Sequence, residues 1–179
     1  LELLDDEGKV VDTHIQKIGF RRTRLIMHPT QWQEKAVEQF PKGRHTSPIT
    51  LEINGRPIFA KGSNWVTPTM FPGTLKEEHY RAHLQAMKDA NMNIVRCWGG
   101  ANVQKESFFE ICDELGIMVW QEFPLACNRY EGTPKYLLVL RQEGQSIVHR
   151  LSQHPSVVLW CGGNELFNNW SKMTDQDLA

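Results

Sequence analysis

The hydrophobic and polar pattern of the chain changes its period near residue 49. Before that point two β-like runs flank the turn signal "DDEGK": "LELL", and the longer "VVDTHIQKIGFRRTRLIM", which alternates loosely as a strand with one wet face does. No helical period occurs there. Residues 1–28 therefore read as the last strands of a β-sandwich module. Residues 29–48 are polar, carry Pro29, Pro41, Gly43 and Pro48, and read as a linker.

From residue 49 onward strand and helix signals alternate. "ITLEINGRPIFAKG" sets Asn54-Gly55 between two alternating apolar runs, a strong hairpin signal. Ile58–Lys61 is the expected first strand of the series that follows. Thr74 and Glu77 have capping-box spacing and predict the start of a helix with Tyr80, Leu84 and Met87 on one face, ending near Asn91. "NIVRCW" is a strand. Phe108, Ile111, Cys112 and Leu115 form the next helical stripe, and Gly116 supplies its stop. "IMVW" is a strand, residues 137–151 are helical although Gly144 weakens the pattern, and "SVVLW" is a strand. The rhythm gives an α/β fold: parallel strands in sequential order with right-handed crossovers.

Length and charge narrow the picture. A chain of 179 residues holds one sizeable core but is short for a complete eight-stranded α/β barrel, which takes roughly 200 residues or more. With 20 basic and 21 acidic residues the net charge is −1, so no electrostatic footprint for nucleic acid or an anionic membrane exists. No segment is long enough to span a bilayer, and no signal-peptide pattern occurs. The chain opens on Leu1, and its last residues, "MTDQDLA", read as the start of a helix, so an excised piece of a larger protein is expected. Its compartment is left open. Cys97, Cys112, Cys127 and Cys161 form no CxxC pair and have no His at zinc spacing. Free, mostly buried thiols are expected, with no metal and no cofactor.

The chemistry gathers where the strands end. The first strand runs into Gly62-Ser63-Asn64-Trp65, the second into Arg96-Cys97-Trp98-Gly99-Gly100, the third into Trp120-Gln121-Glu122-Phe123, and the fourth into Asn164-Glu165. In α/β sheets and barrels, ligands sit beyond the carboxyl ends of the strands. Indoles offer flat apolar faces to sugar rings, amides and Arg address hydroxyls, and a carboxyl group in a partly apolar site can protonate a glycosidic oxygen. Arg96, Trp98, Glu122, Asn164 and Glu165 are expected on one concave face, with Asn64 and Trp65 beside them. Plainer roles compete. Trp160 reads as core, while Trp65 and Trp98 read as site. Glu122 is as much a buried structural acid as a substrate contact. Arg96 has a structural role if it pairs with Glu122 or Glu165. His154 shapes the turn before the fourth strand.

"ITLEINGRPIFAKGSNW", "NMNIVRCWGG", "CDELGIMVWQEF" and "HPSVVLWCGGNE", in this order and spacing, resemble the first four barrel strands of glycoside hydrolase family 2, in its β-mannosidase branch. The resemblance covers about residues 49–170. It implies a partial (β/α)8 TIM barrel, its N-terminal half over residues 49–179, preceded by an immunoglobulin-like sandwich. It also implies a retaining exo-acting β-glycosidase acting on terminal β-linked sugars. By the same resemblance Glu165 is the general acid/base, Asn164 contacts the hydroxyl at sugar position 2, and Arg96 supports the nucleophile region. Two departures stand out. Thr69 occupies the place of an Asp that helps hold the sugar in that branch. The family's nucleophile is a Glu on the seventh strand, so the chain alone is expected to be inactive and, with open sheet edges, to self-associate. The alternatives are a non-catalytic carbohydrate-binding barrel fragment and a β-galactosidase- or β-glucuronidase-type enzyme of the same family.

Overall fold

The computed structural model describes residues 1–27, 49–128 and 130–166. Strands β1 (Glu2–Leu4) and β2 (Val10–Thr13) form an antiparallel hairpin. Its turn is held by Asp5, whose Oδ1 accepts from the backbone N–H groups of Glu7 and Lys9. The long alternating run expected up to Met27 is divided. β2 ends at Thr13, and β3 takes only Thr23–Met27. β3 then pairs antiparallel with β4 (Ile49–Ile53), in a register running from Thr23↔Ile53 to Met27↔Ile49. A strand that the sequence groups with the preceding module is thus joined to the hairpin that opens the next segment. The expected linker at 29–48 and the expected helix start at 173–179 lie outside the described residues.

β4 turns into β5 (Arg56–Ile58) through Asn54 and Gly55, whose φ angles are +51° and +79°. Two successive positive φ values are what a two-residue turn matched to strand twist demands, and Asn-Gly meets that demand at low cost. Asn54 also reaches outward: its Oδ1 accepts the Arg22 N–H at 2.7 Å, which ties the turn to the start of β3.

Beyond the hairpin lies a parallel sheet of four strands in sequential order: β6 (Gly62–Trp65), β7 (Ile94–Cys97), β8 (Met118–Glu122) and β9 (Val157–Cys161). The helices between them are α1 (Glu77–Asp89), α2 (Glu106–Leu115) and α3 (Pro134–Leu151). The expected first strand at Ile58–Lys61 is corrected to Gly62–Trp65, because Ile58 is taken by the antiparallel hairpin, opposite Leu51. The expected capping box is corrected as well. Thr74 ends a short 3-10 turn, where its hydroxyl donates to the Phe71 carbonyl at 2.8 Å. The N-cap of α1 is Lys76, whose N–H donates to His79 Nδ1 at 3.1 Å. α2 stops as expected at Gly116, with φ +69°. α3 runs through Gly144, where an added Cβ would sit 3.6 Å from the Phe123 ring.

The core lies between the helices and one face of this sheet. Val95, Cys97, Val119 and Val157 point into it from the strands, meeting Tyr80 and Leu84 of α1, Phe108, Phe109, Ile111 and Cys112 of α2, and Ile147 and Leu151 of α3. Phe108 is its centre, with ring centroids 4.9 Å from Trp65, 5.6 Å from Tyr80 and 5.2 Å from Phe109.

Beneath the core, His154 fastens α2 to the turn before β9. It is 5% exposed; Nδ1 lies 2.6 Å from Asp113 Oδ2 and Nε2 lies 2.7 Å from Glu106 Oε1. Asp113 Oδ1 accepts the Ser156 N–H as well. Burial of the ring lowers its proton affinity, but hydrogen bonds to Asp113 and Glu106 raise it by more, so the net pKa lies above the ordinary value of 6.5.

Two expectations follow for this chain. Phe108→Ala, which empties a fully buried ring site, should cost about 3–5 kcal/mol in chemical denaturation; a loss under about 1 kcal/mol would contradict the packing. The pH dependence has a definite sign. A raised folded-state pKa means that the stability contributed by protonated His154 is complete below about pH 6.5 and is lost as pH climbs through the folded value. The urea midpoint should fall across that interval in the wild type and lose this component of the slope in His154→Gln. Equal slopes in both would remove the assignment.

Candidate active site

Alternation along the strands places the site. Val95 and Cys97 of β7 point into the helix-side core, so Arg96 between them faces the other side of the sheet. On β8, Val119 belongs to the core, and Trp120 and Glu122 share the face of Arg96. Trp120 stands directly across from Arg96, and the guanidinium carbon lies 5.2 Å from its ring centroid, within cation–π range. β9 carries a bulge: Val119 pairs with Val157, but Trp120 pairs with Leu159. The extra residue reverses which side chains face the core from there on. Trp160 thereby packs against the core and stacks on Phe123 at 5.7 Å, and Cys161 falls beside Glu122.

Beyond β9 the backbone is pinned. The Asn164 N–H donates to the Leu125 carbonyl and the Asn164 carbonyl accepts from the Cys127 N–H, both at 2.9 Å, so residues 125–127 run alongside 163–164. Gly163 allows this approach, since an added Cβ would lie 2.7 Å from the Leu125 carbonyl oxygen.

Arg96 is the hub of the rim. Its Nε and Nη2 lie 2.8 and 2.7 Å from Glu122 Oε1, Nη1 donates to Asn64 Oδ1 at 3.1 Å, and Nη2 donates to Asn164 Oδ1 at 2.5 Å. Glu122 is 2% exposed, and its second oxygen accepts the Gly99 N–H at 2.8 Å. A buried carboxylate is tolerated here because a cation and a backbone donor satisfy both oxygens. Asn164 Nδ2 reaches Cys127 Sγ at 3.1 Å, and that sulfur lies 3.6 Å from Glu165 Oε2. Glu165 is exposed and has a left-handed backbone, φ +51°.

Asn64, Arg96, Glu122 and Asn164 thus form one hydrogen-bonded unit, and Glu165 adjoins it through Cys127. Trp98 is half-buried at the same strand ends, and its indole fills the space over Gly100, where a Cβ would fall 2.0 Å from the ring. Two expectations are corrected. Trp65 is 7% exposed and its ring lies among Tyr80, His83 and Phe108, because it follows Asn64 by one residue and so faces the helices. Glu122 is no open substrate contact, since both its oxygens are engaged by the protein. The thiols also divide: Cys97 and Cys112 are buried, where burial pushes them far up from the ordinary thiol range, whereas Cys161 is half-buried and Cys127 is exposed. Cys127 and the Gly99 N–H are not among the expected site groups, and Trp120, expected in the rim stretch, lies under the Arg96 guanidinium. Only the paired glycines after Trp98 hinted at a close backbone approach.

Chemically, the unit offers an amide whose oxygen is fixed inward, an exposed carboxyl group beside it, and an indole at the same rim. The model of "Glycosyl hydrolases family 2, TIM barrel domain" matches residues 47–176. The mouse protein "Beta-mannosidase" is 39% identical over 166 residues, which are 90% of this chain and 18% of that protein. The crystal structure of a β-D-mannosidase from Dictyoglomus thermophilum is 34% identical with a TM-score of 0.71, covering 90% of this chain and 18% of the other. The apo structure of Bacteroides uniformis β-glucuronidase 3 is 27% identical with a TM-score of 0.66, covering 92% and 18%. The chain therefore spans less than a fifth of the length of these relatives. Its four motifs, its parallel sheet and these likenesses agree: the chain belongs to glycosyl hydrolase family 2 and carries strands of that family's TIM barrel domain.

Proposed function

We propose that this chain supplies the acid/base side of the active site of a retaining, exo-acting β-glycosidase of the β-mannosidase type. The observation that carries this reading is the juxtaposition of an exposed Glu165 with an Asn164 amide held from beneath by Arg96. In this reading Glu165 protonates the glycosidic oxygen as the leaving group departs, then takes a proton from water when the glycosyl-enzyme is hydrolysed. Asn164 binds a sugar hydroxyl, Trp98 offers an apolar face, and Asn64 and Arg96 complete the polar floor. The attacking carboxylate of a retaining enzyme stands about 5–5.5 Å from the acid/base group. Glu122 is unsuited to attack, because its charge is committed to Arg96 and Gly99. The β-mannosidase assignment draws on the mouse and Dictyoglomus likenesses. A β-glucuronidase-type substrate is the second reading, favoured by the Bacteroides likeness, and a panel of nitrophenyl β-glycosides separates the two.

In a full-length protein carrying this chain, Glu165→Gln should lower kcat by about 10²–10⁴-fold on β-glycosides with poor leaving groups, which need a proton. The loss should be much smaller on activated aryl glycosides. Undiminished turnover of the poor substrates would remove Glu165 from the reaction.

For the chain by itself, self-association is expected. Among the described residues, β6 and β9 each have a single hydrogen-bonded neighbour in the parallel sheet. Phe59, Val66, Met70 and Phe71 add exposed apolar surface near the first strand. Open edges and apolar patches favour pairing between copies. Light scattering should report species larger than a monomer, and a stable monomer at tens of micromolar would end that claim.

A further inference from the structure

We propose that Glu122 is a positioning residue that sets which end of the Asn164 amide faces the substrate. The inference rests on the glycosidase reading above, and it concerns a side chain that touches no substrate.

An Asn side chain presents two ends of almost equal size, an acceptor oxygen and a donor nitrogen. Which end faces outward decides whether a sugar hydroxyl meets a donor or an acceptor. Arg96 has donors only, so the end of Asn164 that meets it must be the oxygen, and Nη2 lies 2.5 Å from Oδ1. The nitrogen is thereby turned the other way, to the side where exposed Cys127 lies. The backbone of Asn164 is held at both its N–H and its carbonyl, so the choice of amide end rests with its side-chain contacts.

Arg96 in turn needs an anchor. Among the described residues it contacts two neutral amides, an indole face and one anion, Glu122. Glu122 has its other oxygen on the Gly99 N–H. That contact depends on glycine, because a Cβ at residue 99 would lie 2.6 Å from the carbonyl oxygens of both Phe123 and Leu125. The line of control runs from the Gly99 backbone through the Glu122 carboxylate and the Arg96 guanidinium to the Asn164 amide. A glutamine at 122 has nearly the same shape but only one oxygen. It can accept from Arg96 or from Gly99, and its NH₂ end then confronts the other donor. Glu122 is too buried for water to make good the difference.

The experiment uses a full-length protein carrying this chain and a set of monodeoxy β-glycosides. The hydroxyl served by Asn164 is the one whose removal costs the wild type about tenfold in kcat/KM, as a lost hydrogen bond does, and costs Asn164→Ala almost nothing. At that position alone, Glu122→Gln should also reduce the penalty toward onefold, while the penalties at other hydroxyls stay. A merely structural role predicts a uniform fall in activity with every penalty intact, and that result overturns the proposal. If Glu122→Gln does not give folded protein, Glu122→Asp takes its place, since the shorter carboxylate keeps a charge for Arg96 but cannot span from it to the Gly99 N–H. The same selective loss is expected there, and a uniform loss again overturns the proposal. A wild type in which Glu165→Gln changes nothing would instead sink the glycosidase reading. An effective Glu165→Gln with unchanged deoxy penalties in the Glu122 variant sinks only the positioning role.

Discussion

Burying the Glu122 charge is the constraint on which the rest of the rim depends. Desolvating a carboxylate costs several kcal/mol, and removing one partner of a buried ion pair typically costs about 3–5 kcal/mol. The fold answers with Arg96 on the neighbouring strand, which parallel register places within reach at 2.7 Å, and with the Gly99 N–H from the loop after it. Once Arg96 is fixed, its remaining donors fix Asn64 and Asn164. Strands β6, β7, β8 and β9 each contribute a group to this network, directly or through the loop that follows. The network therefore holds strand order and site geometry together.

The two faces of the sheet do different work. On the helix side, Val95, Cys97, Val119 and Val157 meet aromatic residues of α1 and α2, and burial of apolar surface gives cohesion without direction. On the other side Ile94 and Met118 lie at the start of the strands and Arg96, Trp120 and Glu122 toward their ends, where hydrogen-bond geometry gives direction at little gain in stability. The bulge in β9 serves both faces. It lets Val157 and Trp160 both pack toward the helices although they are three residues apart, and it sets the phase with which the chain enters Gly162–Glu165.

Much of this was legible in the sequence because the signals are local. Asn54-Gly55 forces its turn by φ preference, Gly116 stops α2 for the same reason, and the apolar stripe of α2 follows from its period. Asn64, Arg96, Glu122 and Asn164 were found from their place at strand ends. The failures are non-local or depend on parity. Pairing of β3 with β4 joins segments on either side of residues 28–48, and no local pattern reports such a partner. Trp65 is expected beyond the end of the first strand, at the rim, but it is the last residue of that strand, where alternation turns it to the helices. The α1 cap moved because Thr74 uses its hydroxyl on Phe71 instead. Cys127 carries no sequence signal, since its place beside Asn164 is created by a bridge between two loops.

Two carboxylates stand at one rim in opposite environments, and environment is what separates their roles. Glu122 is sealed, with one oxygen on Arg96 and the other on the Gly99 N–H. Glu165 is exposed and sits on a backbone at φ +51°, while Cys127 across from it has φ +50°. Non-glycine residues in the left-handed region cost of order 1–3 kcal/mol each, and they persist where surrounding structure over-determines them. Here the surrounding structure is the backbone bridge between the two loops, together with the Arg96 contact to the Asn164 side chain. Both oxygens of the buried carboxylate are held by the protein, and the exposed carboxyl group stands at the same rim on the side open to solvent.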